Sequence, residues 1–151
     1  MHTLVRRYIK TAIAFLFVGL AIGAWMILRR EIWHRFPGPY ETSAHTHAIF
    51  AGFVMMMILG VALWLFPRPE KDDRRYRPAR AEVAYWLLTV GTAARVLGEL
   101  LRPAFAQEWL RVAVVLSGFL QIAGLGLFFW TMWSRIRAVG SQLREGRGER
   151  F

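Results

Sequence analysis

No cysteine occurs among the 151 residues. Disulfide scaffolds, Cys-ligated zinc, Cys-ligated iron–sulfur clusters, thioether-attached haem and thiol nucleophiles are thereby excluded together. Acidic side chains are scarce, 10 against 20 Lys and Arg, which leaves a formal charge of +10. Histidine is scarcer still, with four in the chain. The charges gather in a few segments and leave long stretches with none, whereas a soluble domain spreads them along every amphipathic element. What is abundant is apolar: 56% of all residues are hydrophobic and 15% of all residues are aromatic. This is the composition of an integral membrane protein. The length admits four spanning helices of about 20 residues each with short connections, forming one domain over residues 1–151.

Thr11 to Leu28 is an uncharged run rich in Ala, Leu, Phe, Ile and Gly. Arg6, Arg7 and Lys10 precede it, as they would in a cleaved leader, but the run ends in Trp25, Met26 and Arg29 without a small-residue cleavage site and reads as an anchor. His45 to Phe66 carries no Lys, Arg, Asp or Glu and stops at Pro67. Val83 to Leu101 is apolar in bulk but contains Arg95 and Glu99, which hydropathy alone would demote to a buried or interfacial helix. Val112 to Trp133 is the clearest span, with Ser117, Gln121 and Thr131 its only strongly polar side chains. No strand alternation competes. The expectation is an all-α, four-helix membrane bundle with helices over about 9–29, 45–66, 82–101 and 110–134. Fourteen Lys and Arg flank one side of this arrangement and five the other, with Arg95 inside a span. The positive-inside rule then puts both termini in the cytoplasm, in a cell inner membrane.

Arg68, Lys71, Arg74, Arg75, Arg77 and Arg80 are mixed with Glu70, Asp72 and Asp73, and the lone aromatic among them, Tyr76, makes no interleaved pattern for base stacking, which fits anionic lipid headgroups and not a nucleic acid. The tail Arg144 to Phe151 reads as a solvated end. The chemistry lies at the opposite, outer face. There the second helix begins, with Glu41, His45 and His47 at its mouth and His34 in the adjoining loop. Thr92, Arg95, Glu99 and Arg102 form one polar stripe at the same depth, within an arc of about 80° at about 100° per residue. An arginine at a helix centre costs roughly 2.5–3.5 kcal/mol on insertion scales, so the stripe must face protein, a cofactor or water. One way to satisfy it is an Arg95–Glu99 pair at i,i+4. On a regular α-helix the two imidazoles point about 200° apart, so His45 and His47 have different jobs. Ala51 and Gly52, one turn or so below them, would let a flat macrocycle approach.

The stretch AHTHAIFAGFVMMMILGVALWLFP, Ala44 to Pro67, resembles the second transmembrane helix of the catalytic subunit of haem-copper oxidases and nitric oxide reductases. It is similar also to small stand-alone relatives of that subunit and to the NnrS membrane proteins, which bind haem and copper in the nitric oxide response and carry a His-x-His near a helix start. The resemblance spans about one helix of four. It implies b-type haem with His47 as the axial ligand and His45 as an extra histidine. Arg95, with Arg102 nearer the interface, would serve the haem propionates. The second axial position falls to His34, to Met26, to a residue of another subunit or to a diatomic gas. His2 is on the other side. Four histidines cannot build a haem-copper catalytic centre, which needs six, so oxygen or nitric oxide reduction by one chain is excluded and no enzymatic activity is assigned.

The function implied is haem-based electron transfer or the binding of nitric oxide or oxygen. Two rival classes stand beside it. One is a haem-free copper or zinc site made by His34, Glu41, His45, His47 and Glu99 in a metal-handling or assembly role, since nitrogen and oxygen ligands suit either ion. The other is an accessory subunit whose polar stripe packs on a larger partner. Gly19 with Gly23 on the first helix, and Gly124 with Gly126 on the fourth, also suggest close helix contacts and a homo-oligomer.

Overall fold

A computed structural model describes residues 3–67, 69, 73, 76–137 and 147–148. His2, most of the basic segment around Lys71 and most of the tail from Arg144 lie outside the described residues. The described chain is all-helical. α1 runs Thr3–Trp33, α2 Pro39–Leu65, α3 Pro78–Leu101 and α4 Glu108–Met132, the last followed by a 3₁₀ turn, Trp133–Arg135. Helices extend several residues past the expected limits at the end of α1 and at the starts of α2 and α3, where single residues and not the end of hydrophobicity set the boundary.

α1 stops where His34 takes a left-handed φ of 51° and Arg35 N–H donates back to Arg29 O at 3.0 Å, closing the last turn. α2 starts at Pro39, whose fixed φ suits the first helical position, and Glu41 accepts the Gly38 N–H at 2.9 Å. Pro78 opens α3 in the same way. Short connections make α1 and α2 one antiparallel hairpin and α3 and α4 another. Each helix packs chiefly on its hairpin partner, and the beginning of α2 packs on α3.

Three helices, Thr3–Trp33, Pro39–Leu65 and Glu108–Arg135, are long and apolar enough to cross a membrane. α3 is not, because Arg80, Glu82, Arg95 and Glu99 dilute it. It is instead the most enclosed: Leu88, Thr92, Val96 and Glu99 are all buried. The helix whose apolar run is interrupted by charge is thus the one with most protein around it, as burial costs require. Outward-facing side chains are the reverse of a soluble protein's, with Phe17, Trp64, Trp109, Phe119 and Ile122 all more than 60% exposed. That surface suits lipid.

The main core lies at the end where α1 begins and α4 ends, around Tyr8, Met56, Leu59, Leu88 and Phe128. Tyr8 stands edge-on to Tyr85 and Phe128 there, with centroids at 5.1 and 5.9 Å. Below it Arg135, 5% exposed, donates to Leu63 O at 3.1 Å, Phe66 O at 2.9 Å and Pro67 O at 2.8 Å, and lies 4.8 Å over Tyr76. One guanidinium thereby satisfies the last carbonyls of α2. A smaller core of Ile22, Ala44, Ala48 and Val96 lies toward the other end.

α2 is not a uniform α-helix. His47–Met55 is wound as a π-helix between α-helical Pro39–Thr46 and Met56–Leu65. Such windings are rare and usually one turn long. This one begins at His47, whose side chain shares the Ser43 carbonyl with the helix backbone.

Candidate functional site: a histidine–carboxylate–arginine cluster between α2 and α3

The π winding begins on the residue that carries the site. His47 Nδ1 lies 2.9 Å from Ser43 O. A carbonyl only accepts, so Nδ1 holds the hydrogen, and in the neutral ring Nε2 keeps its lone pair. Glu99 of α3 meets this pair from across the helix interface. Its Oε2 is 3.3 Å from His47 Nδ1, while its Oε1 accepts from Ser43 Oγ at 2.8 Å and from Arg95 Nε at 2.7 Å. The carboxylate is 2% exposed, and its Oε2 receives no well-formed hydrogen bond. His47 is about a quarter exposed, at 27%. A buried carboxylate thus backs an imidazole whose Nε2 makes no hydrogen bond among the described residues, the arrangement that fixes the tautomer and raises the basicity of a metal-ligating histidine.

Arg95 is held at Glu99 by Nε alone, and its Nη1 lies against Gly118 of α4, where an added Cβ would come within 2.5 Å. The i,i+4 pair expected as one way to satisfy Arg95 is therefore made, and it leaves the outer edge of the guanidinium for another anion. Further down the α3–α4 interface Gln121 donates to Thr92 Oγ1 at 3.1 Å, extending the buried polar stripe.

His45 is elsewhere. Its Nδ1 donates to Gly19 O of α1 at 2.9 Å, and its ring rests on Gly23, whose absent Cβ would sit 2.9 Å from Cε1. The two histidines face different helices. His34 is exposed and serves as the helix stop of α1. Glu41 caps α2 and pairs with Arg29. The cluster of His34, Glu41, His45, His47 and Glu99 expected for a haem-free copper or zinc site is therefore not assembled: among the described residues, no three His, Asp or Glu side chains group as a metal site.

Arg102 sits just past α3 with its guanidinium 5.6 Å over the Tyr40 ring and a long, 3.5 Å contact to Gln107 O, apart from Arg95. Ala51 is half-buried in the π segment. Gly52 does not open toward a macrocycle, because Phe15 of α1 fills the place its Cβ would take, 2.5 Å from Cγ. Gly19, Gly23 and Gly124 are likewise occupied within the chain, by Ile49, His45 and Leu88, so these glycines serve packing inside one copy. Gly126 meets nothing within 4 Å. Sequence reasoning missed Ser43, although a serine one turn before a histidine is the available signal, and missed Gly118 as the seat of Arg95.

The sequence model of the family described as "NnrS protein" matches residues 3–138, and the chain belongs to that family. The family is associated with haem-binding membrane proteins linked to nitric oxide. No curated protein and no solved structure matches the chain.

Proposed function

With membership of the NnrS family as the premise, we propose that the chain is a four-helix inner-membrane bundle with cytoplasmic termini that binds b-type haem near its outer, periplasmic face, for electron transfer or for holding nitric oxide or oxygen. The observation that carries this reading is His47: its Nδ1–H is committed to Ser43 O beside buried Glu99, so Nε2 is presented as a ligand. Haem supplies the iron that exchanges an electron or takes a diatomic gas. The chain's own groups do the rest. Ser43 and Glu99 fix the ring and its tautomer. Arg95 would offer its unused N–H edge to a propionate, and Arg102, nearer the interface, would supply a second contact. Four helices would enclose a haem thinly, so a second copy is expected to cover it and to offer a further residue.

Haem content per chain and the visible spectrum of the detergent-purified protein test the assignment. His47→Ala should abolish or severely reduce haem retention, while His45→Ala should keep the colour with at most shifted bands. If both variants kept a normal spectrum, His47 would not be the ligand. Loss confined to His45→Ala would move the role to the other histidine.

A further inference from the structure

His45 is left without a task by the haem reading, yet its geometry is that of a prepared recognition group. Its Nδ1–H is committed to Gly19 O at 2.9 Å, so its Nε2 is a bare acceptor. The ring forms one wall of a groove of about 590 Å³ at the outer end of α1, whose lining includes Gly23, Ala24, Met26, Ile27 and Arg30. That size is within the roughly 300–1,000 Å³ of small-molecule pockets. The groove is apolar apart from His45 and Arg30, and Leu20 and Ile27 on its rim are 53% and 58% exposed, on the lipid-facing side of the helix. Beside the His45 ring, which covers Gly23, Ala24 gives it a low floor, with little side chain to hold a ligand's ring away from the backbone. Arg30 spends its Nε on Glu31 at 2.6 Å, which leaves its other N–H groups at the mouth.

An occupant must therefore enter from the bilayer, be flat and apolar in body, donate one O–H to Nε2 and present a second oxygen that can accept from Arg30. A quinone lacks the donor. A sterol or an aliphatic alcohol lacks the second oxygen.

We propose that the groove between His45 and Arg30 binds the headgroup of a membrane-dissolved hydroquinone, with His45 Nε2 accepting one ring hydroxyl. Binding does not require haem. Its value as a source of electrons rests on the haem reading above.

The test is anaerobic retention of decylubiquinol by the full chain in nanodiscs, read by rapid filtration against empty discs, with the haem bands recorded on the same samples. Saturable binding near one per chain is expected. His45→Phe should weaken it about tenfold, the equivalent of one lost hydrogen bond, while leaving the haem bands in place. Ala24→Trp, which raises the floor without touching the ring, should abolish it. Decylubiquinone and cholesterol should each bind at least about tenfold more weakly than decylubiquinol. Binding equal to that of empty discs, indifferent to both variants, or matched by decylubiquinone or cholesterol would overturn the proposal. So would copper(I) bound by the parent and lost in His45→Phe with hydroquinone retention unchanged. Absence of haem in the parent with hydroquinone binding intact would instead count against the haem reading alone.

Discussion

Glu99 is the residue on which most of the site converges, since Ser43 and Arg95 both donate to its buried carboxylate and His47 Nδ1 lies 3.3 Å from it. Truncating it leaves an arginine in a helix interface with no acceptor. Glu99→Ala should destabilise the bundle by about 3–5 kcal/mol in an SDS-unfolding titration, whereas the double change Arg95→Leu with Glu99→Gln should cost far less, because it removes both charges together. Arg95→Leu alone separates structure from cofactor: if Arg95 holds a propionate, haem retention weakens and the midpoint potential falls, since a nearby cation favours the reduced site. Unchanged haem content and potential would leave Arg95 as Glu99's partner only. His34 offers the opposite kind of test. It holds a left-handed φ of 51°, which costs an L-residue roughly 1–2 kcal/mol and glycine nothing steric. His34→Gly should therefore fold at least as stably and keep its haem, and loss of haem in that variant would restore His34 as an axial ligand. The candidate residues were legible because Arg, Glu and His stand out in apolar runs. Their partners were not, because Ser43 and Gly118 carry no such contrast and matter only through what another helix brings to them.

At the scale of elements, four apolar runs became four helices because hydropathy and length are local properties of the chain. Helix ends moved outward because caps are local too, but are set by single residues such as Pro39 and Pro78 and not by composition. α3 looked weakest for the same reason that it is most enclosed: Arg95 and Glu99 lower its hydropathy and need protein around them. The π winding of His47–Met55 was not legible, since the residues HAIFAGFVM would suit a regular helix equally well. It follows that wheel arguments through this stretch do not carry facing from His47 to the turns below it. The glycines show the same limit. Small-xxx-small spacing announces a close approach without naming the neighbour, and Gly19 and Gly23 meet α2 of their own chain. Two substitutions measure this. Gly52→Ala drives a Cβ to 2.5 Å from Phe15 Cγ and should cost about 1–3 kcal/mol, while Gly126→Ala meets nothing and should be neutral or gain up to about 1 kcal/mol from helix propensity. Equal effects in an SDS titration would mean that the α1–α2 contact is looser than described.

At the scale of the whole molecule, the charge count of 14 against five makes a directional statement that reporter fusions check. A reporter after Phe151 should be cytoplasmic and one between Pro37 and Tyr40 external. External activity of the first would put His45 and His47 on the cytoplasmic face. Cross-linking in native membranes should capture a dimer or larger assembly, and a purely monomeric product would remove the second copy from the haem reading.

Arg135 has a further consequence for how the two hairpins find each other. In a bilayer the carbonyls of Leu63, Phe66 and Pro67 would otherwise need water or lipid donors at the end of α2, and the group that satisfies them comes from the end of α4. The connection between Pro67 and Tyr76 is then not the only tie between the halves. Severed there, residues 1–69 and 76–151 expressed as separate polypeptides should still recognise one another and reconstitute the parent, and Arg135→Ala should abolish that complementation while sparing the unbroken chain.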